Sequence, residues 1–326
     1  MSKPRVGFLG VGWIGRHRME AMLAAGAVEA AAVADPSAEC VAAARTLAPG
    51  AQVVAGLEEM LGLGLDGVVI ATPSALHAEQ SIAALHAGAA VFCQKPLGRT
   101  AQEVQAVVEA ARAADRLLGV DLSYRFTDGM SRIAPLVRDG SLGAVQAVDL
   151  IFHNAYGPDK PWFYDPAQSG GGCVMDLGVH LVDLALWTLG WPQVEDVDST
   201  LLAEGAPLQA GKCEDFAVAT LRLASGAVVR LACSWRLHAG REAVIAAEFY
   251  GTQGGAALRN VGGSFYDFTA ERFAGTSSVL LAGLPDEWGG RAAADWARRL
   301  AAGEHFDPEG ERLVEVARVL DWIYER

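Results

Sequence analysis

Three groups of residues have the types and spacings that chemistry requires. Lys95 follows directly on the apolar run AVFC, at the carboxyl edge where doubly wound sheets bind ligands. Asp176 and His180 stand four residues apart in a helical pattern, hence on one helix face, pairing a carboxylate with a side chain that titrates near neutral pH. Gly10-Val11-Gly12-Trp13-Ile14-Gly15 has the form G-x-G-x-x-G, and Asp35 stands 20 residues past Gly15. Each has a plainer reading when taken alone. A surface lysine usually does nothing, a helix histidine is commonly a packed one, and Asp35 before Pro36 could simply cap a helix.

Local context separates the glycine motif from coincidence. With 37 glycines among 326 residues the bare pattern recurs, and Gly62-Leu63-Gly64-Leu65-Asp66-Gly67 matches it too. That second copy precedes an apolar strand instead of opening a helix after one, so it reads as a loop. The first copy lies between the strand RVGFL and the helix IGRHRMEAMLAA. There Gly12 would let the backbone approach a pyrophosphate, and Gly15 would let helix and strand meet closely. Asp35, ending the next strand, would take the adenosine-ribose hydroxyls and repel a 2′-phosphate. NAD is therefore expected over NADP, with Gly10, Gly12, Trp13, Ile14, Gly15 and Asp35 around it.

The elements that must hold these residues follow from periodicity. Apolar runs at 5–9, 28–34, 52–54, 67–71, 90–93 and 117–121 alternate with helical patterns at 14–25, 37–47, 57–61, 77–87 and 100–114. Near-continuous apolar strands separated by helices indicate a parallel sheet covered on both faces, a doubly wound Rossmann α/β domain over residues 1–121. Residues 122–326 read as an α+β domain on an open, mainly antiparallel sheet. Helices are expected at 130–138, 174–189, 291–302 and 309–324, and a strand at 145–153. Two hairpins turn at Ala224-Ser225-Gly226 and Thr252-Gln253-Gly254-Gly255. The last helix is the one segment expected to be able to return to the first domain.

Taken in order, the motifs resemble the Gfo/Idh/MocA family, which includes glucose–fructose oxidoreductase and inositol dehydrogenase. The resemblance runs over nearly the whole chain. It is carried by GVGWIG, Thr72-Pro73 with His77, Gln94-Lys95-Pro96, Tyr124-Arg125-Phe126, and the run Gly170-Gly171-Gly172-Cys173-Val174-Met175-Asp176-Leu177-Gly178-Val179-His180-Leu181-Val182-Asp183. It implies an NAD(H)-dependent oxidoreductase interconverting a secondary alcohol and a ketone on a sugar, cyclitol or related polyol. In that reading Lys95 hydrogen-bonds the reacting oxygen, His180 exchanges the hydroxyl proton, and Asp176 binds a neighbouring hydroxyl and helps place His180. Thr72, Pro73, His77 and Gln94 surround the nicotinamide ribose, and Arg125 lies toward both cofactor and substrate. Some members cleave glycosides with bound NAD, and others only bind the dinucleotide as regulators. One position departs from the pattern: the tripeptide is usually Glu-Lys-Pro, and Gln94 lacks that carboxylate. Glutamate at 94 is expected to preserve cofactor binding and move the pH–rate profile.

Other residues read more plainly. Trp162-Phe163-Tyr164 could stack on a sugar or anchor a loop. Trp235 reads as core, Cys93 and Cys173 as small hydrophobes, and His17 as unrelated to catalysis. No cluster has metal-ligand spacing. A net charge of −13, from 26 basic and 39 acidic residues, opposes binding to nucleic acid. Glu29, Asp35 and Asp66 break the richest apolar stretches, so no membrane span is expected. Five cysteines without CxxC spacing suit a reduced, cytoplasmic protein. An open sheet with too few helices to cover it implies a homodimer or homotetramer.

Overall fold

Three of the apolar runs are buried along nearly their whole length, which is what a sheet covered on both faces demands. The computed structural model describes residues 2–325. It divides into two compact units: residues 1–121 with 290–314, and residues 122–289 with 315–326.

In the first unit, β1 (Arg5–Leu9), β2 (Glu29–Ala34), β3 (Gln52–Val53), β4 (Gly67–Ile70), β5 (Ala90–Cys93) and β6 (Leu118–Val120) form one parallel sheet in the order β3-β2-β1-β4-β5-β6. This is the doubly wound Rossmann order. Helices α1 (Trp13–Ala24), α2 (Ala38–Leu47), α3 (Leu57–Leu61), α4 (Ser74–His86) and α5 (Ala101–Ala114) make the crossovers. The order reverses between β1 and β4, so the crevice for a ligand opens where Gly10 and Ala71 leave those strands.

The expected boundary put residues 122–326 in the second domain, with only the last helix able to return. That helix, from Glu315 on, lies with the second unit, and the segment Gly290–Val314 groups with the first unit instead. Its helix, Arg291–Ala301, lies with the first unit because Trp296 has a fitted seat there. A Cβ on Gly67 or Gly119 would stand 2.7 Å from the Trp296 ring, and Phe92 lies 5.8 Å from it between centroids. Glycine on two strands makes room for an indole that is 3% exposed.

The second unit carries a nine-stranded sheet: β7 (Val145–Asn154), β8 (Val194–Ala203), β9 (Ala206–Pro207), β10 (Phe216–Leu223), β11 (Val228–Ser234), β12 (Ala243–Gly251), β13 (Gly255–Asn260), β14 (Phe268–Ala274) and β15 (Ser277–Ala282). Its order is β15-β14-β13-β12-β7-β11-β10-β8-β9, antiparallel throughout except between β7 and β11. Both expected hairpins are present. Strands β8, β14 and β15 lie toward the sheet's two ends, where charged residues in β8 and β14 and exposure of β15 blur the alternation. Helices α6 (Asp128–Arg138) and α8 (Val179–Thr188) cover one face, and a short α7 (Pro166–Ser169) precedes the glycine run. Helix α8 is buried almost all round, as its composition VHLVDLALWT requires. The other face shows Val218, Arg222, Arg230 and Tyr250 to solvent. No helix among the described residues is long and apolar enough to cross a membrane.

Trp296→Ala is expected to destabilise the first unit by about 3–5 kcal/mol, the usual scale for emptying a buried aromatic site. Denaturant unfolding followed by fluorescence measures it; a loss under about 1 kcal/mol would mean the seat is not a packed one.

Candidate active site

The first unit delivers its polar residues at the carboxyl ends of its strands. Gly10 leaves β1 at φ +83°, and a Cβ there would meet the Ala71 carbonyl at 2.5 Å. A Cβ on Gly15 would stand 2.0 Å from the Gly10 carbonyl oxygen, so both glycines are required by close backbone approach. Gly12 differs: a Cβ there would meet nothing within 4 Å. That open space, at the start of a helix, is where a pyrophosphate would lie against backbone N–H groups. Trp13 is exposed and Ile14 half-buried on the same turn.

Asp35 follows β2 and accepts from Val11 N–H at 2.8 Å and Ser37 N–H at 2.9 Å. The cap of α2 is Ser37, whose hydroxyl accepts from Cys40 N–H, so the simple capping reading of Asp35 is not what the chain does. A carboxylate has about four acceptor positions, so Asp35 keeps capacity for ribose hydroxyls while the glycine turn holds it in place.

Past β4, Thr72 Oγ1 donates to Gln80 at 2.6 Å, and Pro73 stands at the start of α4. His77 is buried, its ring nitrogens each 2.7 Å from a carbonyl, of Pro96 and of Thr72. It ties the loop after β4 to the loop after β5, so its effect on a ligand passes through Thr72 and Pro96. Burial pushes its pKa down, against the pull of the two carbonyls, and the charge of Lys95 adds to the fall. Gln94 is buried and Lys95 partly exposed directly after β5.

The second unit is organised by a helix start. Backbone N–H groups 172–175 open the helical segment that carries Asp176 and His180, and all four find acceptors. The Glu214 carboxylate accepts from Gly172 at 3.0 Å and Val174 at 2.8 Å, and its backbone carbonyl accepts from Cys173 at 2.9 Å. Met175 donates to the Tyr324 hydroxyl at 3.2 Å, which in turn donates to Glu214 at 2.7 Å. The glycines admit these partners. A Cβ on Gly171 would stand 2.0 Å from the Tyr324 oxygen, and one on Gly172 1.9 Å from the Glu214 carbonyl oxygen. Burial raises the Glu214 pKa, and its donors oppose that rise.

The helix expected from residue 174 begins as a π-helical turn, Val174–Gly178, and continues as α8. Wider turns of this kind are frequent at functional sites. Asp176 lies on it, half-buried, and the indole N–H of Trp235 donates to its Oδ2 at 3.0 Å. Trp235 is thus both buried and bonded to the candidate site. Tyr164 meets it edge-on at 5.4 Å, while Trp162 stacks on Phe163 at 3.8 Å. The aromatic loop is therefore a buttress for Trp235 as well as a surface. Tyr164, Trp235, Arg236 and Lys212 line a cavity of about 400 Å³.

His180 is buried, with Tyr124 edge-on at 4.9 Å and Phe152 at 6.4 Å. Arg125 forms a fork with Asp183 on α8, with Nε to Oδ2 at 2.8 Å, and lies over the rings of Trp187 and Trp191. Its guanidinium is committed to this helix. Burial raises the Asp183 pKa, and Arg125 pulls it back. Cys93 and Cys173 are buried thiols with raised pKa values, Cys93 pushed up to about 12 by burial, which makes them inert. No group of three or more His, Cys, Asp or Glu among the described residues could hold a metal ion.

Glu214, Tyr324, Asp121 and Arg18 went unseen in the sequence. Glu214 sits beside a charged Asp215 ahead of a strand and carries no local signal; its partners are 40 to 110 residues away.

Comparison with known proteins places this architecture. Residues 4–122 match the family model described as "Oxidoreductase family, NAD-binding Rossmann fold", and residues 130–257 match "GFO/IDH/MocA C-terminal domain". A levoglucosan dehydrogenase of Pseudarthrobacter phenanthrenivorans is 30% identical, over 57% of this chain and 53% of its own length. The match thus spans only about half of that relative. A putative UDP-kanosamine synthase oxidoreductase subunit of Amycolatopsis mediterranei is 31% identical, over 78% of this chain and 75% of its own. The crystal structure of GenD2 from gentamicin A biosynthesis, in complex with NAD, superposes with a TM-score of 0.82 at 25% identity, covering 100% of this chain and 94% of that one.

Glu214→Gln is expected to cost about 1–3 kcal/mol for each donor left facing an amide N–H₂. It should also lower kcat by up to about 10²-fold, because Asp176 and His180 ride on the freed helix start. Tyr324→Phe removes one bond and should cost only about 0.5–1.5 kcal/mol. Unfolding and steady-state rates measured on both variants check this. Equal effects would deny Glu214 its central place.

Proposed function

The chain belongs to the GFO/IDH/MocA oxidoreductase family, and from that premise we propose that it interconverts a secondary alcohol and a ketone on a sugar, cyclitol or related polyol, with NAD as cofactor. The observation that carries the proposal is the single strand edge that collects the glycine turn, Asp35, Thr72-Pro73 and Gln94-Lys95. The open space at Gly12 and the carboxylate at Asp35 fit a dinucleotide without a 2′-phosphate. The relatives' names, levoglucosan and a UDP-sugar among them, support a carbohydrate-like substrate.

Bound NAD would supply the hydride acceptor. The rest falls to the chain's own groups. The Lys95 ammonium hydrogen-bonds the reacting oxygen and favours alkoxide character. His180 takes the hydroxyl proton during oxidation and returns it during reduction. Asp176, its carboxylate held by the Trp235 N–H, accepts from a neighbouring substrate hydroxyl. Tyr124 and Phe152 keep the His180 ring oriented and its surroundings dry. We assign Trp162 to the substrate side, on the loop that buttresses Trp235, and Arg125 to a positioning role through Asp183.

The same reading makes the protein a homodimer or homotetramer through the uncovered sheet face, where Val218 and Tyr250 are exposed. Light scattering at micromolar concentration is expected to show two or four chains; a monomer would refute that arrangement.

The functional test follows reduction of added NAD and NADP over a panel of sugars, cyclitols and sugar acids. NAD is expected to be used at least about tenfold better, since repelling a phosphate charge is worth over about 1.4 kcal/mol. His180→Ala and Lys95→Ala should each lower kcat by about 10²–10⁴-fold. Asp176→Ala should also raise KM. Wild-type turnover in His180→Ala would reduce that residue to a packed helix histidine, and bound NAD recycled without bulk reduction would point to glycoside cleavage.

A further inference from the structure

Three polar side chains share one buried spot at the carboxyl edge of the first unit's sheet. Asp121 follows β6 at 1% exposure, Gln94 follows β5 at 7%, and Arg18 reaches them from α1 at 6%. Arg18 Nε donates to Asp121 Oδ2 at 2.6 Å, and Gln94 Nε2 donates to the same oxygen at 2.7 Å. Backbone pairing holds the spot together, since Asp121 N–H donates to the Cys93 carbonyl at 2.9 Å. The acceptor decides the amide's orientation. A carboxylate paired with a guanidinium has no proton to give, so Gln94 must turn its N–H₂ to Asp121 and its carbonyl away. The other oxygen, Asp121 Oδ1, is buried with no hydrogen-bond partner among the described residues.

We infer that Asp121, not residue 94, carries the negative charge of this strand edge, and that with Arg18 it clamps Gln94 as an uncharged acceptor for a donor group of the bound cofactor. The Gln94 departure and Asp121 then form one device: the carboxylate missing from the tripeptide stands one strand over, already matched by a cation. Glutamate at 94, expected from the sequence to preserve cofactor binding, would set two carboxylates against one guanidinium in a buried place. One of them would have to take up a proton or move.

The neighbouring groups leave this balance intact. From α1, His17 Nδ1 meets Arg18 at 2.9 Å, and burial and the Arg18 charge push its pKa down, so it adds no positive charge. From β5, the buried Cys93 thiol is neutral. Lys95 follows Gln94 in the chain, and His77 of α4 has a pKa lowered by burial.

The test compares wild type, Gln94→Glu, Asp121→Asn and the double variant. Its first readout is thermal unfolding without added nucleotide from about pH 5 to 8, a window above the ordinary carboxylate range. In Gln94→Glu the shared proton raises a folded-state carboxyl pKa above its unfolded value. Stability is therefore kept at low pH and lost as pH rises through the folded pKa. The deficit against wild type should widen with pH and exceed about 4 °C at pH 8. Asp121→Asn should lose a comparable amount across the whole window, because Arg18 loses its counter-charge. The double variant, again one carboxylate and one amide, should regain more than half of the summed losses. A pH-independent deficit in Gln94→Glu, or a double variant no better than the sum of the singles, would overturn the inference. The second readout is NADH affinity by fluorescence, and it rests on the cofactor reading above. Asp121→Asn should weaken NADH about 3–10-fold, the worth of one misdirected hydrogen bond, with recovery in the double variant. Wild-type protein that binds no NADH would sink the cofactor reading, while the unfolding data would still judge the charge arrangement. NADH affinity unchanged in Asp121→Asn would overturn the clamp.

Discussion

The second unit hangs on one helix start. Four consecutive backbone N–H groups lie inside the protein, where leaving any one unpaired costs about 1–3 kcal/mol. Glu214 and Tyr324 take all four. Everything that could do chemistry in this unit is downstream of that capture. Asp176 and His180 lie within the next turns, and Asp183 one further turn on holds Arg125. The glycine run is the other side of the same constraint, because any side chain at 171 or 172 would occupy the space its acceptors fill. A negative carboxylate also suits the positive end of the helix.

The first unit obeys a different constraint. A strand buried on both faces can present a polar side chain only where it ends. Gly10, Asp35, Thr72, Gln94 and Asp121 each stand directly or within two residues after such a strand. Parallel pairing brings those ends to one edge, and reversal of strand order leaves the gap above it. Function in this unit is thus a property of strand termini, and the fold's task is to align them.

That difference explains how much could be read from the chain alone. Buried parallel strands print themselves as apolar runs, and Gly10, Asp35, Thr72 and Gln94 each stand directly after such a run, which made them natural candidates. The Asp176–His180 spacing was visible for a similar reason, since a helix repeats locally. Glu214 and Tyr324 were invisible because their bonds join residues 110 apart, and nothing near either one marks it. Strands β8 and β14 were missed because they carry charge near the sheet's ends, and β15 because it is mostly exposed and shows no alternation. The segment Gly290–Val314 reads as a helix from its own sequence, but its partners, Gly67 and Gly119, announce only absent side chains.

Residue 94 shows where pattern reading misleads. Against a family motif, glutamine appears as a lost charge, and charge lost beside a lysine suggests weakened chemistry. Inside the fold, the quantity that matters is the sum over groups that share one low-dielectric space. Arg18 contributes one positive charge and Asp121 one negative, so an amide at 94 is what neutrality there permits. A substitution at such a place is never a property of one position. It belongs to the set of side chains that must be buried together, and a carboxylate moved one strand over can leave the acceptor in place while changing which residue bears the charge.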